Sequence, residues 1–144
     1  MEEDIVKFRI QKKKPIPFDF VLDVLEELDP VTRPMFGCTA VYVGSKIVLI
    51  LREKGKPAED DGVWVATVRE HHESLRAEVP TLRDISIFGP GPTGWQNLPA
   101  HEPTFEESVQ RVCELIIQGD HRVGKIPKKK TKRILKTPPK KKRR

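Results

Sequence analysis

The sequence predicts an α+β domain in which helices pack on a mostly antiparallel sheet, with the elements in the order α-βββ-α-ββ-α. Three observations support this class: a helical apolar spacing in 18–28, two β-branched runs around Gly44-Ser45, and a second apolar helical face in 104–118. The chain has 144 residues and 37% hydrophobic content, which suffices for one domain. We expect that domain to span 18–124.

Segments of different character flank the predicted domain. Residues 1–17 are rich in charge and include Pro15 and Pro17, so we expect an N-terminal arm or a short edge strand there. Residues 125–144 are rich in Lys, Arg and Pro and contain few apolar side chains. Such a segment cannot bury enough surface to fold alone, so we expect a disordered tail.

The first helix is predicted from apolar residues at Val21, Val24, Leu25 and Leu28. Their spacing of i, i+3, i+4 and i+7 places them on one helical face. Pro30 is expected to close this helix.

A β-hairpin is predicted from two β-branched or aliphatic runs, 39–43 and 46–51, that only Gly44-Ser45 separates. Glycine can adopt the positive φ that a tight hairpin turn requires. The short apolar run 63–66 predicts a third strand, so the three strands can form an antiparallel meander.

A capping-box pattern, Thr67 followed by Glu70, predicts the start of a second helix, and Pro80 is expected to end it. Two further strands are predicted at 85–88 and 94–98, joined by a loop rich in Gly and Pro.

The last helix is predicted from a second capping box, Thr104 with Glu107, followed by apolar residues at helical spacing. Cys113 lies on this apolar stripe, where a thiol behaves as a small hydrophobic group. Gly119 is placed to cap the end of the helix.

Three motifs occur in a fixed order along the chain: Met35-Phe36-Gly37, Gly44-Ser45-Lys46 leading to Ile47, and Trp95 to Leu98-Pro99. Together they resemble the N-terminal domain of the TfoX/Sxy family, bacterial proteins associated with the regulation of natural competence. The resemblance covers residues 18–118, with Cys38 standing where a second glycine is common in the family. It implies the α-βββ-α-ββ-α fold and a role in regulating transcription, with no catalytic residues to carry over.

Two motifs that could indicate a cofactor or a metal do not fit their context. Residues 89–94 match the GxGxxG pattern of dinucleotide-binding loops, but Pro90 and Pro92 remove amide donors and a strand is predicted to follow. His71 and His72 are neighbours, so on a helix they point about 100° apart and cannot chelate one metal ion together. We therefore expect no cofactor and no metal site.

The two cysteines, Cys38 and Cys113, are expected to be reduced thiols, since their separation excludes a CxxC site. Without a recognisable nucleophile and base we predict a non-enzymatic protein. The alternative is a small-ligand binder or an enzyme whose site lies on the sheet near Met35, Cys38 and Trp95.

The two tryptophans, Trp64 and Trp95, are predicted to fill the core face of the sheet, although either could stack on a base or anchor a partner. The exposed loop before Trp95 leaves a partner-binding role open. We predict a partner surface that includes Met35, Phe36 and Trp95.

The formal charge of +6 is distributed unevenly, because residues 125–144 hold 12 Lys or Arg and no acid, which leaves −6 on 1–124. The basic residues are Lys125, Lys128, Lys129, Lys130, Lys132, Arg133, Lys136, Lys140, Lys141, Lys142, Arg143 and Arg144. Such a polycation binds phosphates by releasing condensed counterions, so we predict sequence-independent contact with nucleic acid. The segment 137–142 resembles the Lys- and Pro-rich repeats of linker-histone tails, which favours DNA over RNA.

Three other roles of the basic segment stay open at this point: a solubilising tail, a nuclear-localisation signal if the source is eukaryotic, and attraction to the acidic body. No stretch approaches the roughly 18 apolar residues of a membrane-spanning helix, and the acidic residues 2–4 do not fit a secretory signal. We therefore expect a cytoplasmic, nucleoid-associated monomer or homodimer with an unknown protein partner and no membrane contact.

Overall fold

The structure is a computed structural model that describes residues 15–89, 91 and 93–127. Within these ranges the predicted α+β class is confirmed, since a six-stranded antiparallel sheet carries helices on one face. The predicted N-terminal arm lies outside these ranges except for its last three residues, and the predicted tail lies outside them from residue 128 onward.

Six strands and three α-helices make up the described part of the chain. The strands are β1 (Val31–Met35), β2 (Cys38–Val43), β3 (Lys46–Arg52), β4 (Gly62–Ala66), β5 (Arg83–Asp84) and β6 (Trp95–Pro99). The helices are α1 (Phe20–Val24), α2 (His72–Glu78) and α3 (Phe105–Ile117), with 3-10 turns at Glu26–Leu28, Ala58–Asp60 and Arg69–His71. Neighbouring strands pair in the order β1-β2-β3-β4-β6-β5, so β1 and the two-residue β5 form the edges.

The predicted hairpin is confirmed, with Gly44 at φ +60 between β2 and β3. The prediction missed β1, so four strands rather than three precede α2. Pro34 and the mostly exposed side chains of β1 conceal its strand pattern. A two-residue turn joins β1 to β2, in which Phe36 and Gly37 both have positive φ, at +55 and +76, as a type I′ turn requires.

The predicted strand at 85–88 is wrong, because pairing with β6 involves Arg83 and Asp84 instead. The segment after β5 turns away from the sheet because the buried carboxylate of Asp60 accepts hydrogen bonds from the amides of Ser86 and Ile87.

Neither predicted capping box forms. The hydroxyl of Thr67 donates to the carbonyl oxygen of Arg122 at 2.7 Å, and a 3-10 turn precedes α2. Thr104 precedes α3 as predicted but makes no side-chain capping bond. The first helix is also shorter than predicted, since it ends at Val24 and continues as a 3-10 turn.

The predicted glycine cap of α3 is confirmed. Gly119 has φ +77 and its amide donates to the carbonyl oxygen of Ile116 at 3.0 Å. The amide of Asp120 donates to the carbonyl oxygen of Leu115 at 2.9 Å. This pair of bonds is a Schellman motif, which satisfies carbonyl groups at the helix end.

The two faces of the sheet differ in what covers them. On one face, apolar side chains such as Leu49, Val63 and Val65 pack against the helices in the main core. The other face, which we call the open face, has a smaller buried cluster formed by Ala40, Ile47, Ile50, Trp64, Ala66 and Ile85. Among the described residues no helix contributes a side chain to this second cluster.

Candidate functional site

Four aromatic rings follow one another across the open face, and we call them the aromatic row: Phe36, Phe88, Trp64 and Trp95. The ring centres of Phe36 and Phe88 are 6.3 Å apart, and the centre of Trp64 is 6.0 Å from both Phe88 and Trp95. The strand register places Phe36 and Trp95 toward opposite ends of the sheet. Since β3 and β4 lie between the β1–β2 turn and β6, the row crosses the sheet diagonally.

The row combines a buried ring, Trp64, with two exposed rings at one end. Trp64 is buried and its indole N–H donates to the carbonyl oxygen of Asp60 at 2.8 Å. Phe36, on the turn between β1 and β2, is 71% exposed, and Phe88 is 52% exposed. Asp60 thus fixes Trp64 directly and Phe88 through the amide of Ile87.

Cations lie at both ends of the row. The Nζ of Lys125 lies 4.9 Å from the ring centre of Trp95 and donates to the carbonyl oxygen of Gly94 at 3.0 Å. At the other end the Nζ of Lys54 lies against Gly37, next to Phe36. A third cation, Arg33, lies 5.5 Å above the ring of Tyr42 on the same face.

Acidic groups close to the row are engaged by donors of the protein. The carboxylate of Asp60 accepts bonds from Ser86 and Ile87. The carboxylate of Asp61 accepts from the buried guanidinium of Arg52 at 2.6 Å and from the amide of Lys54 at 2.9 Å. The carboxylate of the exposed Glu59 accepts from the hydroxyl of Ser86 at 3.4 Å. The cations beside the row are thus the exposed Lys54 and Arg33 and the half-buried Lys125.

Lys125 belongs to the folded body, although the sequence predicts it to be the first residue of the tail. Its backbone pairs with Ile47 through two hydrogen bonds of 2.9 and 3.0 Å, and the amide of Gly124 donates to Ala66 at 2.7 Å. Val123 packs in the core beneath the helices, whereas the Lys125 side chain lies over Trp95. The chain therefore crosses the end of the sheet from the helical side to the open face.

A charged cluster anchors this crossing segment. The guanidinium of Arg122 donates to the carboxylates of Asp120 and Glu78, and its backbone carbonyl accepts from Thr67. Hydrogen bonds from Arg122 hold the pKa of Asp120 well below its usual range. The root of the basic segment is thereby fixed to α2 and to the end of β4.

The structure places the three predicted partner-surface residues on or beside the open face, but not in one pocket. Met35 and Trp95 pack against the small buried cluster near its opposite ends, and Phe36 protrudes from the turn after Met35. Of the predicted nucleic-acid-binding residues only Lys125 is described; the others, from Lys128 to Arg144, lie outside the described residues.

Sequence reasoning missed Phe88, Lys54 and Arg33 as members of this face. The strand prediction for 85–88 placed Phe88 in the sheet, and no local motif links it to Phe36. The tight turn at Phe36-Gly37 is the one signal that could have drawn attention to an outward-pointing ring.

Cys38 lies half-buried beside Met35, and its Sγ donates to the carbonyl oxygen of Phe36 at 3.6 Å. Burial raises the pKa of the Cys38 thiol, and the opposing charges of Arg52 and Lys54 do not cancel that effect. A thiol that stays protonated at neutral pH is a poor nucleophile. Cys113 lies in the core, and burial raises its pKa to about 12.

A cavity of about 320 Å³ lies beside α2, and no residue of the aromatic row lines it. Its lining residues are Arg69, His72, Glu73, Arg76 and Asp84. His72 is 6% exposed, and its Nε2 has no hydrogen-bond partner in the described part of the chain. Burial, followed by the charge of Arg76, lowers the pKa of His72, which favours a neutral imidazole at pH 7.

Two further findings concern metals and membranes. Within the described ranges no group of three His, Cys, Asp or Glu side chains could hold a metal ion. No helix in the part of the chain covered by the structure is long and apolar enough to cross a membrane.

The loop after Gly89 leads into strand β6 and not into a helix, so its glycines do not precede a helix N-terminus.

Comparison with protein-family models, curated proteins and solved structures finds no match for this chain. The similarity to the TfoX/Sxy family therefore stays a prediction from the motifs alone.

Proposed function

We propose that this protein is a non-enzymatic regulatory module that contacts nucleic acid through its basic C-terminal segment. The observation that carries the proposal is the position of Lys125 against Trp95, because residues 128–144 continue from this point with 11 Lys or Arg and no acid. A polycation gains affinity for nucleic acid from released counterions and does so without reading sequence.

The body has a separate part in this proposal. Its net negative charge disfavours extensive contact with phosphates. Selective binding of a regulatory partner therefore requires a defined surface such as the open face. On the motif resemblance to the TfoX/Sxy family, we propose that the regulated process is transcription. A cytoplasmic location, with recruitment to the nucleoid, follows from the same proposal.

The test compares the full chain with a chain that ends at Pro127, by fluorescence anisotropy against DNA and RNA at several salt concentrations. If about eight tail charges meet duplex phosphates, log K should fall with log salt at a slope of about −7. The truncated chain should lose most of this affinity and most of this slope. Equal affinity of the two chains for every nucleic acid would overturn the proposal.

A matched control keeps the tail length and removes only its charge. Replacing the 11 basic residues of 128–144 with Gln leaves the body and the length of the chain unchanged. We expect this variant to behave like the truncated chain, since the electrostatic contribution is what both lack.

A further inference from the structure

The open face presents aromatic rings and cations together, next to the root of the basic segment. We propose that this face binds single-stranded nucleic acid, with bases stacked on Phe36 and Phe88 and phosphates near Lys54, Arg33 and Lys125. The inference deepens the proposed function and rests on it, because it names unpaired bases as what the body recognises.

The two exposed rings of the row, Phe36 and Phe88, are accessible and held in place. Phe36 and Phe88 are 71% and 52% exposed, which is unusual for side chains whose burial stabilises a fold by about 2 kcal/mol or more. Phe88 contacts Phe36 on one side and the buried Trp64 on the other, with edge-to-face geometry at both contacts. A ring that neighbours already fix loses little further entropy when a base stacks on it.

Unpaired bases fit these rings better than a duplex does. In a duplex the bases are stacked on each other, so their faces are not accessible to a side chain. In a single strand the bases can be splayed out and stacked on Phe, Tyr or Trp rings, often across an exposed sheet. Stacking tolerates any sequence, since every base has an aromatic face.

The distribution of charge favours a polyanion over a protein partner or a second copy of this chain. Cations lie at both ends of the aromatic row, at Lys54 and Lys125, and Asp60 and Asp61 are engaged in hydrogen bonds. The segment that begins after Lys125 adds 11 positive charges. A second copy would bring the same cations toward each other, which opposes pairing through this face.

The test measures the affinity of the full chain for a labelled oligothymidylate of about 20 nucleotides and for a duplex of equal length, at one salt concentration. The variants are Phe36→Ala, Phe88→Ala and the double variant. Each lost ring should weaken single-strand binding about five- to 160-fold, the range found for base stacking. Duplex binding should change less than twofold, because the tail is intact.

Two matched variants distinguish stacking from general apolar contact and from misfolding. Phe88→Trp keeps an aromatic ring and should retain single-strand affinity, whereas Phe88→Leu keeps the apolar character and should lose it. Gln110→Ala alters an exposed residue of α3 and should have no effect. Quenching of the tryptophan fluorescence by the oligothymidylate reports on the row independently, since Trp64 and Trp95 are the two tryptophans.

Distinct results would overturn the inference. Equal affinity for single strand and duplex, unchanged by the Phe variants but dependent on the tail, would contradict base stacking and leave the proposed function intact. Self-association that Phe36→Ala and Phe88→Ala abolish, with single-strand binding unaltered, would assign the face to a second copy. Absence of binding to any nucleic acid would contradict the proposed function itself.

Discussion

The ammonium group of Lys125 lies 4.9 Å from the ring centre of Trp95 and donates a hydrogen bond to the carbonyl oxygen of Gly94. This contact ties the last described part of the chain to Trp95, the first residue of β6. It also gives the basic segment a fixed starting point on one side of the sheet.

Replacing Lys125 with Met should lower the free energy of unfolding by about 1 kcal/mol, because it removes a cation–π contact and a hydrogen bond but keeps the apolar stem. Tryptophan emission in urea titrations measures the change, and the emission of the native state should shift because the group above Trp95 is altered. Lys56→Met, at an exposed position, is the control and should leave stability within about 0.5 kcal/mol of the parent. An equal effect of the two substitutions would contradict the contact.

Replacing Arg52 with Met should lower the free energy of unfolding by about 3–5 kcal/mol. The guanidinium is 1% exposed and donates to Asp61 and to the carbonyl oxygens of Lys56 and Pro57. Its removal leaves the carboxylate without its cation and two carbonyl groups without a donor.

Chemical denaturation measures this loss. The control for Arg52 is Arg83→Met, which breaks the exposed ion pair with Glu102 and should cost less than about 1 kcal/mol. Asp61→Asn in the Arg52→Met background should restore part of the stability, since it removes the unpaired charge. Failure of that rescue would show that packing, and not charge, dominates at this site.

The stability of the protein should fall as the pH decreases below about 6.5, because of His72. Its pKa is lowered in the folded state, chiefly by burial and then by Arg76, whereas in the unfolded chain it titrates near 6.5. Below that pH the unfolded state binds the proton more readily, so protonation favours unfolding.

His72→Leu should flatten this dependence, and at pH 7 it should be neutral or stabilising because it removes a buried nitrogen without a partner. Thermal unfolding at a series of pH values provides the measurement. His101→Asn, on an exposed loop, should retain the slope of the parent. An unchanged slope in His72→Leu would assign the dependence to another group.

The two thiols should differ in reactivity with an alkylating reagent. Burial raises the pKa of both, to about 12 for Cys113, and the thiolate is the reactive form. At pH 7 Cys38 should react more slowly than a free cysteine, and Cys113 only when the protein unfolds. Mass spectrometry of the alkylated peptides measures modification at both sites. Rapid modification of native Cys38 at pH 7 would contradict this prediction and support a nucleophilic site near Cys38.

The sequence predicted correctly those turns and helix ends that single residues with special backbone geometry determine. Gly44 supplies the positive φ of the hairpin turn and Gly119 that of the helix cap, and both were identified. The prediction of a strand at 85–88 was wrong because the backbone there is held by hydrogen bonds to the carboxylate of Asp60, 26 residues before Ser86. No pattern within 85–88 carries that information.

The candidate site was predicted in part for the same reason. Met35, Phe36 and Trp95 were selected from motifs, whereas Phe88 joins them only through tertiary contacts. Lys125 has the composition of a tail residue, and its place in the body comes from backbone pairing with Ile47, 78 positions earlier. Thr67 has the sequence of a helix cap, but Arg122 provides a more distant acceptor for its hydroxyl.

The two edge strands of the sheet, β1 and β5, disfavour aggregation through strand pairing. Edge strands are templates for fibrillar aggregation when they are long and offer unpaired amides. Here β1 contains Pro34, which has no N–H to donate, and β5 is two residues long. Addition of strands from other chains is therefore disfavoured at both edges of the sheet. The protein can expose Phe36 and Phe88 without forming fibrils through these edges.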